Sequence, residues 1–408
     1  MKIGLIAFHA APNYGAFLQM LSTVEYVRAI GDTPYVINWL PKDAEKNFRN
    51  RAIPEVLEQF SHVQKDYYPL TRLCRSTKEV AHLITEIGID AVIVGSDAIL
   101  QHHPLGKRIY FPCRRIVYIQ HMPQDHLYPS PFWGAFNDYL KNPIPVAILS
   151  GSSQDCKFYD IKGRTKARMK NTILQYKYIS VRDEWTQSMI SYLTDGVIKP
   201  EITPDPVFAF NYNAGHLILS KEEILKKYRI PDDYIIVSFK GPQSVTQEWI
   251  SEFQTIARKE GTACVRLPYA DGKVFGELDY SLPDILPPLD WYALIKYSKA
   301  YVGNNMHPII VSLHNVIPFF SFDNYGLSKV DGRITDGESS KIYHILKQAG
   351  LLDYRSYIGS PQYQAPSASF VYNKIKNFDT KAESEFAESY YTSYKKMMDK
   401  IYKSISKE

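Results

Sequence analysis

Short apolar runs that stop at a glycine or polar turn, then pass directly into a helix-periodic segment, recur along this chain and restrict it to the α/β class. The clearest case is residues 298–322, SKAYVGNNMHPIIVSLHNVIPFFSF. A strand at Ala300–Gly303 turns through Asn304, Asn305 and Met306 and presents His307. An apolar helix at Ile309–Leu313 and a second buried strand at Ile317–Phe322 follow. A histidine at the carboxyl end of a strand, where the next helix begins, occupies the usual ligand position of an open α/β sheet. Imidazole is also the side chain best suited to moving a proton near neutral pH. A lone histidine more often caps a helix or fills a core, but the flanking Gly303, Asn304 and Asn305 favour a site.

The same grammar organises the rest. Lys2–His9 reads as a strand, Asn13-Tyr14-Gly15-Ala16 as a turn, Phe17–Ile30 as a helix closed by Gly31, and Thr33–Trp39 as a second strand. Pro41–Gly88 is a polar, largely helical excursion. The sheet resumes at Asp90–Gly95, followed by Ser96 and Asp97, with further strands expected at Arg115–Tyr118, Val146–Leu149 and Tyr178–Val181. The last of these ends in Arg182-Asp183, and Thr203-Pro204-Asp205-Pro206 closes the half with a rigid turn. From about Asn211 the alternation repeats: helix Lys221–Tyr228, strand Tyr234–Phe239 ending at Lys240-Gly241, helix Glu248–Lys259, strand Thr262–Leu267, helix Asp290–Tyr297, then the His307 unit. Ala382–Ser404 carries apolar side chains at helical spacing. The order predicts two Rossmann-like domains facing across a cleft. The first spans 1–210 and carries the excursion 41–88; the second spans 211–408 and ends in the helix at 382–404.

Composition excludes several classes. A chain of 408 residues can bury two full cores. The net charge of +5 is spread thinly, with no basic tract, so no nucleic-acid partner is expected. Cys74, Cys113, Cys156 and Cys264 are scattered, which suits a reducing cytoplasm and suggests neither a zinc site nor a disulfide framework. His102, His103, His121 and His126, with Asp125, match no familiar ligand spacing, so no metal is expected. No segment approaches the ~20 apolar residues of a membrane span. Any membrane association would be peripheral, through the lysine face of the terminal helix.

Five motifs in order carry a family resemblance. They are Lys2–His9 with Asn13-Tyr14-Gly15-Ala16-Phe17-Leu18-Gln19; Asp90–Asp97 (DAVIVGSD); Ile179–Asp183 (ISVRD); Pro204–Val207 (PDPV); and Gly303–Pro308 (GNNMHP). In these the chain resembles the polysaccharide pyruvyl transferases, over roughly residues 1–330. Members are similar to two-domain glycosyltransferases of the GT-B type. Characterised ones move the enolpyruvyl unit of phosphoenolpyruvate onto a sugar, leaving a pyruvate ketal. The resemblance therefore implies phosphoenolpyruvate as co-substrate, no further cofactor, and a sugar or lipid-linked glycan as acceptor.

On the matching positions it implies His307 as the acid and Asp97 as the base or as a stabiliser of the developing cation. Arg182, Asn304 and Asn305 would face the donor, and Asn13, Tyr14, Gly15 and Ser96 the acceptor; Lys240 and Gly241 join the donor side by their position alone, at the end of a second-half strand. Plainer readings stand beside these. Asp97 suits an Asx turn or helix N-cap, and Arg182, next to Asp183 and Glu184, suits a solvated charge at a helix start. Three positions depart from the family pattern. Asn305 stands where several characterised members have arginine, Pro308 where glycine follows the histidine, and Ala98 where glutamine is usual. A lost arginine removes a bidentate contact to phosphate or carboxylate. That keeps two alternatives open: a GT-B-like glycosyltransferase with a nucleotide-sugar donor, and a catalytically silent glycan-binding or scaffold member.

Overall fold

The computed structural model describes residues 1–104, 107–110, 118–154, 156–328, 334–359 and 363–406. Cys113 and most of the expected strand Arg115–Tyr118 lie outside the described residues. Two six-stranded sheets form the frame. The first contains β1 (Lys2–Ile6), β2 (Thr33–Val36), β3 (Ala91–Asp97), β4 (Val146–Gly151), β5 (Tyr178–Val181) and β6 (Glu201–Ile202), in the order β2-β1-β3-β4-β5-β6. The second contains β7 (Tyr234–Ser238), β8 (Ala263–Arg266), β9 (Tyr280–Ser281), β10 (Ala300–Gly303), β11 (Phe319–Asp323) and β12 (Arg355–Tyr357), in the order β9-β8-β7-β10-β11-β12. Every pairing within the two sheets is parallel. The α/β class and the two-sheet architecture expected from the sequence are what the structure has.

Parallel sheets must be covered on both faces, and the strand sequences provide for this. In β3, Ala91 and Ile93 join one core cluster while Val92 and Val94 join another. In β7, Tyr234 and Ile236 face the first cluster and Ile235 and Val237 a third. The shared cluster is continuous between the two lobes. It takes in Phe17 and Leu21 of α1 (Tyr14–Ala29), Phe208 and Phe210 of the connecting segment, and Ile309 and Leu313 further on. The excursion after β2 forms α2 (Lys42–Arg49), α3 (Pro54–Tyr67) and α4 (Thr77–Ile87), the last covering the outer face of the first sheet with Val80, Leu83 and Ile84. Helices α5 (Gly163–Ile173) and α6 (Glu184–Leu193) complete that layer.

In the second half, α7 (Lys221–Tyr228), α8 (Gln247–Lys259), α9 (Pro288–Lys296) and α10 (Met306–Asn315) alternate with strands. Helices α11 (Lys341–Ala349), α12 (Ala368–Lys376) and α13 (Thr380–Ile405) follow. Helix α13 crosses back over the first lobe, where Met397 Sδ accepts from Ser150 Oγ at 3.2 Å and Ser180 Oγ at 3.4 Å. Among the described residues, no helix is long and apolar enough to cross a membrane.

Most boundaries agree with the sequence reading to within a few residues, and the main difference bears on the site. His307 does not precede its helix; it lies inside the first turn of α10, which starts at Met306. Pro308 does not prevent this, because N–H groups of a first turn have no intrahelical acceptor to lose.

One buried carboxyl gives the fold a pH signature. Glu383, in the first turn of α13, is fully buried, and neither carboxylate oxygen has a hydrogen-bond partner among the described residues. Burial pushes its carboxyl up to about 9. The folded state thus keeps a proton that the unfolded chain releases near 4.5, so stability from this group is lost as pH rises from about 4.5 to 9. At pH 7 the cost is on the order of 3 kcal/mol. In urea denaturation, Glu383→Gln should match the parent below pH 5 and become progressively more stable than it toward pH 8. A constant difference across that range would refute the assignment.

Candidate functional site

In an open α/β sheet, ligands bind outside the carboxyl ends of strands, where the strand order reverses. The first sheet reverses between β1 and β3, the second between β7 and β10. The segments leaving those four strands face one another across a cavity of about 590 Å³. From β1 come Phe8, Asn13, Tyr14 and Gly15; from β3, Asp97 and Gln101; from β7, Lys240; from β10, Asn304, Asn305 and His307. Arg182, leaving β5, also lines it. Two expected positions do not reach the wall. Ser96 is fully buried and donates to the Ser150 carbonyl at 2.9 Å, and Gly241 is absent from the lining.

Asp97 sits at the end of β3 with a left-handed backbone, φ 82°. That conformation is uncommon outside glycine and concentrates at functional positions. Two residues before it stands Gly95, whose φ is 127° and where a Cβ would lie 2.2 Å from the Leu149 carbonyl oxygen; no other residue fits there. The Asp97 carboxylate does not cap a helix. It accepts from Arg182 Nη2 at 3.2 Å. Arg182 is not a solvated helix-start charge either; it is buried, and its Nη1 donates to Asp205 Oδ2 at 2.8 Å. Asp183, not Arg182, opens α6, its carboxylate accepting from Thr186 N at 2.7 Å. Asp205 in turn accepts from Gln19 of α1 and from the Val207 N–H. Burial by itself raises the Asp97 carboxyl, but Arg182, Lys341 and His307 outweigh it and hold it below the usual range. Asp97 is an anion facing the cavity.

His307 comes from the opposite lobe. Its Nε2 is shielded from solvent and has no hydrogen-bond partner among the described residues. Burial lowers its pKa below 6.5; Asp205 and Asp97 pull it back up, and Arg182 and Lys341 push it down, with the net effect downward. The imidazole is neutral at pH 7 with one nitrogen uncommitted. Its ring lies directly on Gly15. A Cβ built there would fall 2.1–2.2 Å from Cδ2, Nε2 and Cε1 of His307. Gly15 is therefore the seat of the histidine, which explains the glycine in the first turn of α1.

The other turn residues hold that seat still. Asn13 caps α1, its side chain accepting from Gly15 N at 2.9 Å and Ala16 N at 3.3 Å. Tyr14 stacks on Trp291 of α9 with centroids 4.9 Å apart, and its hydroxyl accepts from Leu286 N at 3.3 Å. Asn304 is buried, bonded to Tyr269 Oη and donating to Ser244 Oγ at 3.2 Å. Asn305 is the N-cap residue of α10 but makes no side-chain cap bond, which leaves its amide to the cavity it lines. Lys240 pairs with Asp271 at 2.7 Å on the same wall.

Sequence reading missed Tyr269, Asp271, Lys341, and the trio Asn47, Phe48 and Arg51 of the excursion, all on the wall. None carries a local signal, because each reaches the cavity through tertiary packing. Asp205 had one: it is the aspartate of the Pro-Asp-Pro-Val motif.

A sequence model of the polysaccharide pyruvyl transferase family matches residues 13–325. The UDP-GlcNAc 2-epimerase of Methanocaldococcus jannaschii superposes with a TM-score of 0.51 at 9% identity, covering 96% of this chain and 100% of that one. An S. aureus MnaA structure with UDP gives 0.49 at 12% identity, covering 100% and 98%. The UDP-GlcNAc 2-epimerase of Neisseria meningitidis bound to UDP-GlcNAc gives 0.49 at 10%, covering 97% and 100%. At such identities the likeness is one of fold, the two-lobed GT-B arrangement. No curated protein matches by sequence.

Gly15→Ala tests the seat. The three atoms nearest the added methyl all belong to the movable end of the His307 side chain, so the fold should survive with a melting temperature within a few degrees of the parent. The His307 ring must swing away, and its NMR titration midpoint should move from below 6.5 toward the solvated value of ~6.5. An unchanged midpoint would show that the ring does not rest on residue 15.

Proposed function

Because this chain belongs to the polysaccharide pyruvyl transferase family, we propose that it moves the enolpyruvyl unit of phosphoenolpyruvate onto a sugar diol to form a pyruvate ketal. The observation that carries the reading is an imidazole with an uncommitted nitrogen from one lobe, electrostatically coupled to an ionised carboxylate from the other.

The chemistry assigns each a task. His307 protonates the methylene carbon, and positive charge develops at C2. Asp97 stabilises that charge and accepts the proton of the attacking sugar hydroxyl. A second hydroxyl then displaces phosphate at C2. Two hydroxyl protons are released in all; one balances the proton taken up by the new methyl group and the other leaves with the phosphate. The N–H groups at the start of α10, with Asn305 and Lys240, face the donor's anionic groups. Arg182 serves through Asp97, which it orients and keeps charged. Buried Cys74 and Cys264, both free thiols, fit work in a reducing cytoplasm, on a free or lipid-linked acceptor.

A neutral His307 needs a proton to act as an acid, and the donor supplies the condition. A multiply charged anion brought next to the ring favours the imidazolium. In the free enzyme, kcat/KM for the donor should therefore rise as pH falls from 8 toward 6, while the limb of the kcat profile lies at higher pH. His307→Ala should lower turnover by ~10²–10⁴-fold while leaving the melting temperature near that of the parent. Phosphoenolpyruvate should raise the melting temperature of the parent. Stabilisation by UDP-sugars and not by phosphoenolpyruvate would replace this reading with a nucleotide-sugar one. Full phosphate release by His307→Ala would remove that residue from the acid role.

A further inference from the structure

The excursion between β2 and β3 contributes a wall of the cavity that no motif announces. Ala44, Asn47, Phe48 and Arg51 share one stripe at helical spacing along α2 and the turn behind it. Ala44 is buried, and the other three line the cavity. The turn is fixed to its helix, with Arg51 N and Ala52 N donating to the Phe48 carbonyl at 3.0 and 3.1 Å.

Asp43, Glu45 and Arg49 of this element anchor it. Asp43 accepts from Gln124 N at 3.0 Å. Glu45 binds Arg75 at 2.5 Å and Arg49 at 2.7 Å. Arg49 and Arg75 thus have carboxylate partners, whereas Arg51, among the described residues, has no acidic partner. Across the mouth the loop of the second lobe comes close, with Ile53 Cδ1 3.6 Å from where a Gly272 Cβ would stand. A cation held without a counter-ion on the rim of a substrate cavity, one helical turn from an aromatic face, has the makings of a recognition element for an anionic sugar.

We propose that α2 and its trailing turn read the acceptor. Phe48 stacks on a sugar ring, and Arg51 binds an oxyanion, phosphate or carboxylate, carried by that ring or its neighbour. The assignment to the acceptor rests on the pyruvyl-transfer reading, which places the donor against His307 on the other lobe. Recognition of an anionic sugar by Phe48 and Arg51 does not depend on it.

Calorimetric titration with glucose, glucose 1-phosphate and glucuronic acid tests the idea without turnover. The parent should bind at least one of the charged sugars tenfold or more tighter than glucose, and which one identifies the oxyanion. Arg51→Ala should erase that preference, with Arg51→Lys restoring part of it, and Phe48→Ala should weaken all three sugars alike. The thermal shift given by phosphoenolpyruvate should be the same in Arg51→Ala as in the parent. No preference for a charged sugar, or a preference that survives Arg51→Ala, overturns the proposal. So does loss of the phosphoenolpyruvate shift in Arg51→Ala, which would move Arg51 to the donor side. If phosphoenolpyruvate fails to shift the parent, pyruvyl transfer falls, and the sugar titrations still decide whether this wall reads an oxyanion.

Discussion

A buried guanidinium between two carboxylates sets the electrostatics of the cleft. Arg182 bridges Asp205 and Asp97, and no one of the three could stay charged at that depth without the others. The cost of desolvating three ions is returned as a fixed arrangement. Asp205 is itself held by Gln19 and by the turn it opens, so the orientation of the cavity-facing Asp97 is set by α1 and by the segment that leaves the first lobe. The ladder links strand ends β3 and β5 to the chain crossing toward the second lobe, and that is why one polar network positions groups from distant parts of the sequence.

The second constraint is a matter of space. Helix α10 brings His307 across the interlobe gap, and the ring can arrive only because residue 15 has no side chain. Both lobes thereby contribute to the environment of one imidazole. Its basicity is set by burial and then by four charges, of which Asp97, Asp205 and Arg182 belong to the first lobe and Lys341 to the second. A relative shift of the lobes would change the proton affinity of the histidine as well as its reach.

Much of this was legible in the sequence for a simple reason. Parallel strands buried on both faces read as short, unbroken apolar runs, and the residues that leave their carboxyl ends are the ones that meet the ligand. His307 at the start of α10, Asp97 at the end of β3 and Asn13, Tyr14 and Gly15 at the start of α1 could all be placed by that rule, and they do face one cavity. What local pattern could not supply was partnership. Nothing near Arg182 indicates that both its ends are taken by carboxylates 23 and 85 residues away. Nothing in the polar composition of residues 41–88 marks Phe48 and Arg51 as cavity-facing, because an amphipathic helix looks the same whether its inner face meets a core or a cleft. Ser96 shows the converse: strand alternation turns it inward to the Ser150 carbonyl, away from the neighbouring Asp97.

The return path of α13 has a consequence for how the molecule comes apart. Its sequence follows the second sheet, yet Met397 lies against Ser150 and Ser180 of the first, and Tyr394, Met398 and Ile401 belong to the cluster shared by both. Melting either half would strip apolar cover from the other. The two halves are therefore coupled into one cooperative unit, with a single calorimetric transition as its signature. A hinge motion between them is limited to displacements that keep the strap of α13 seated.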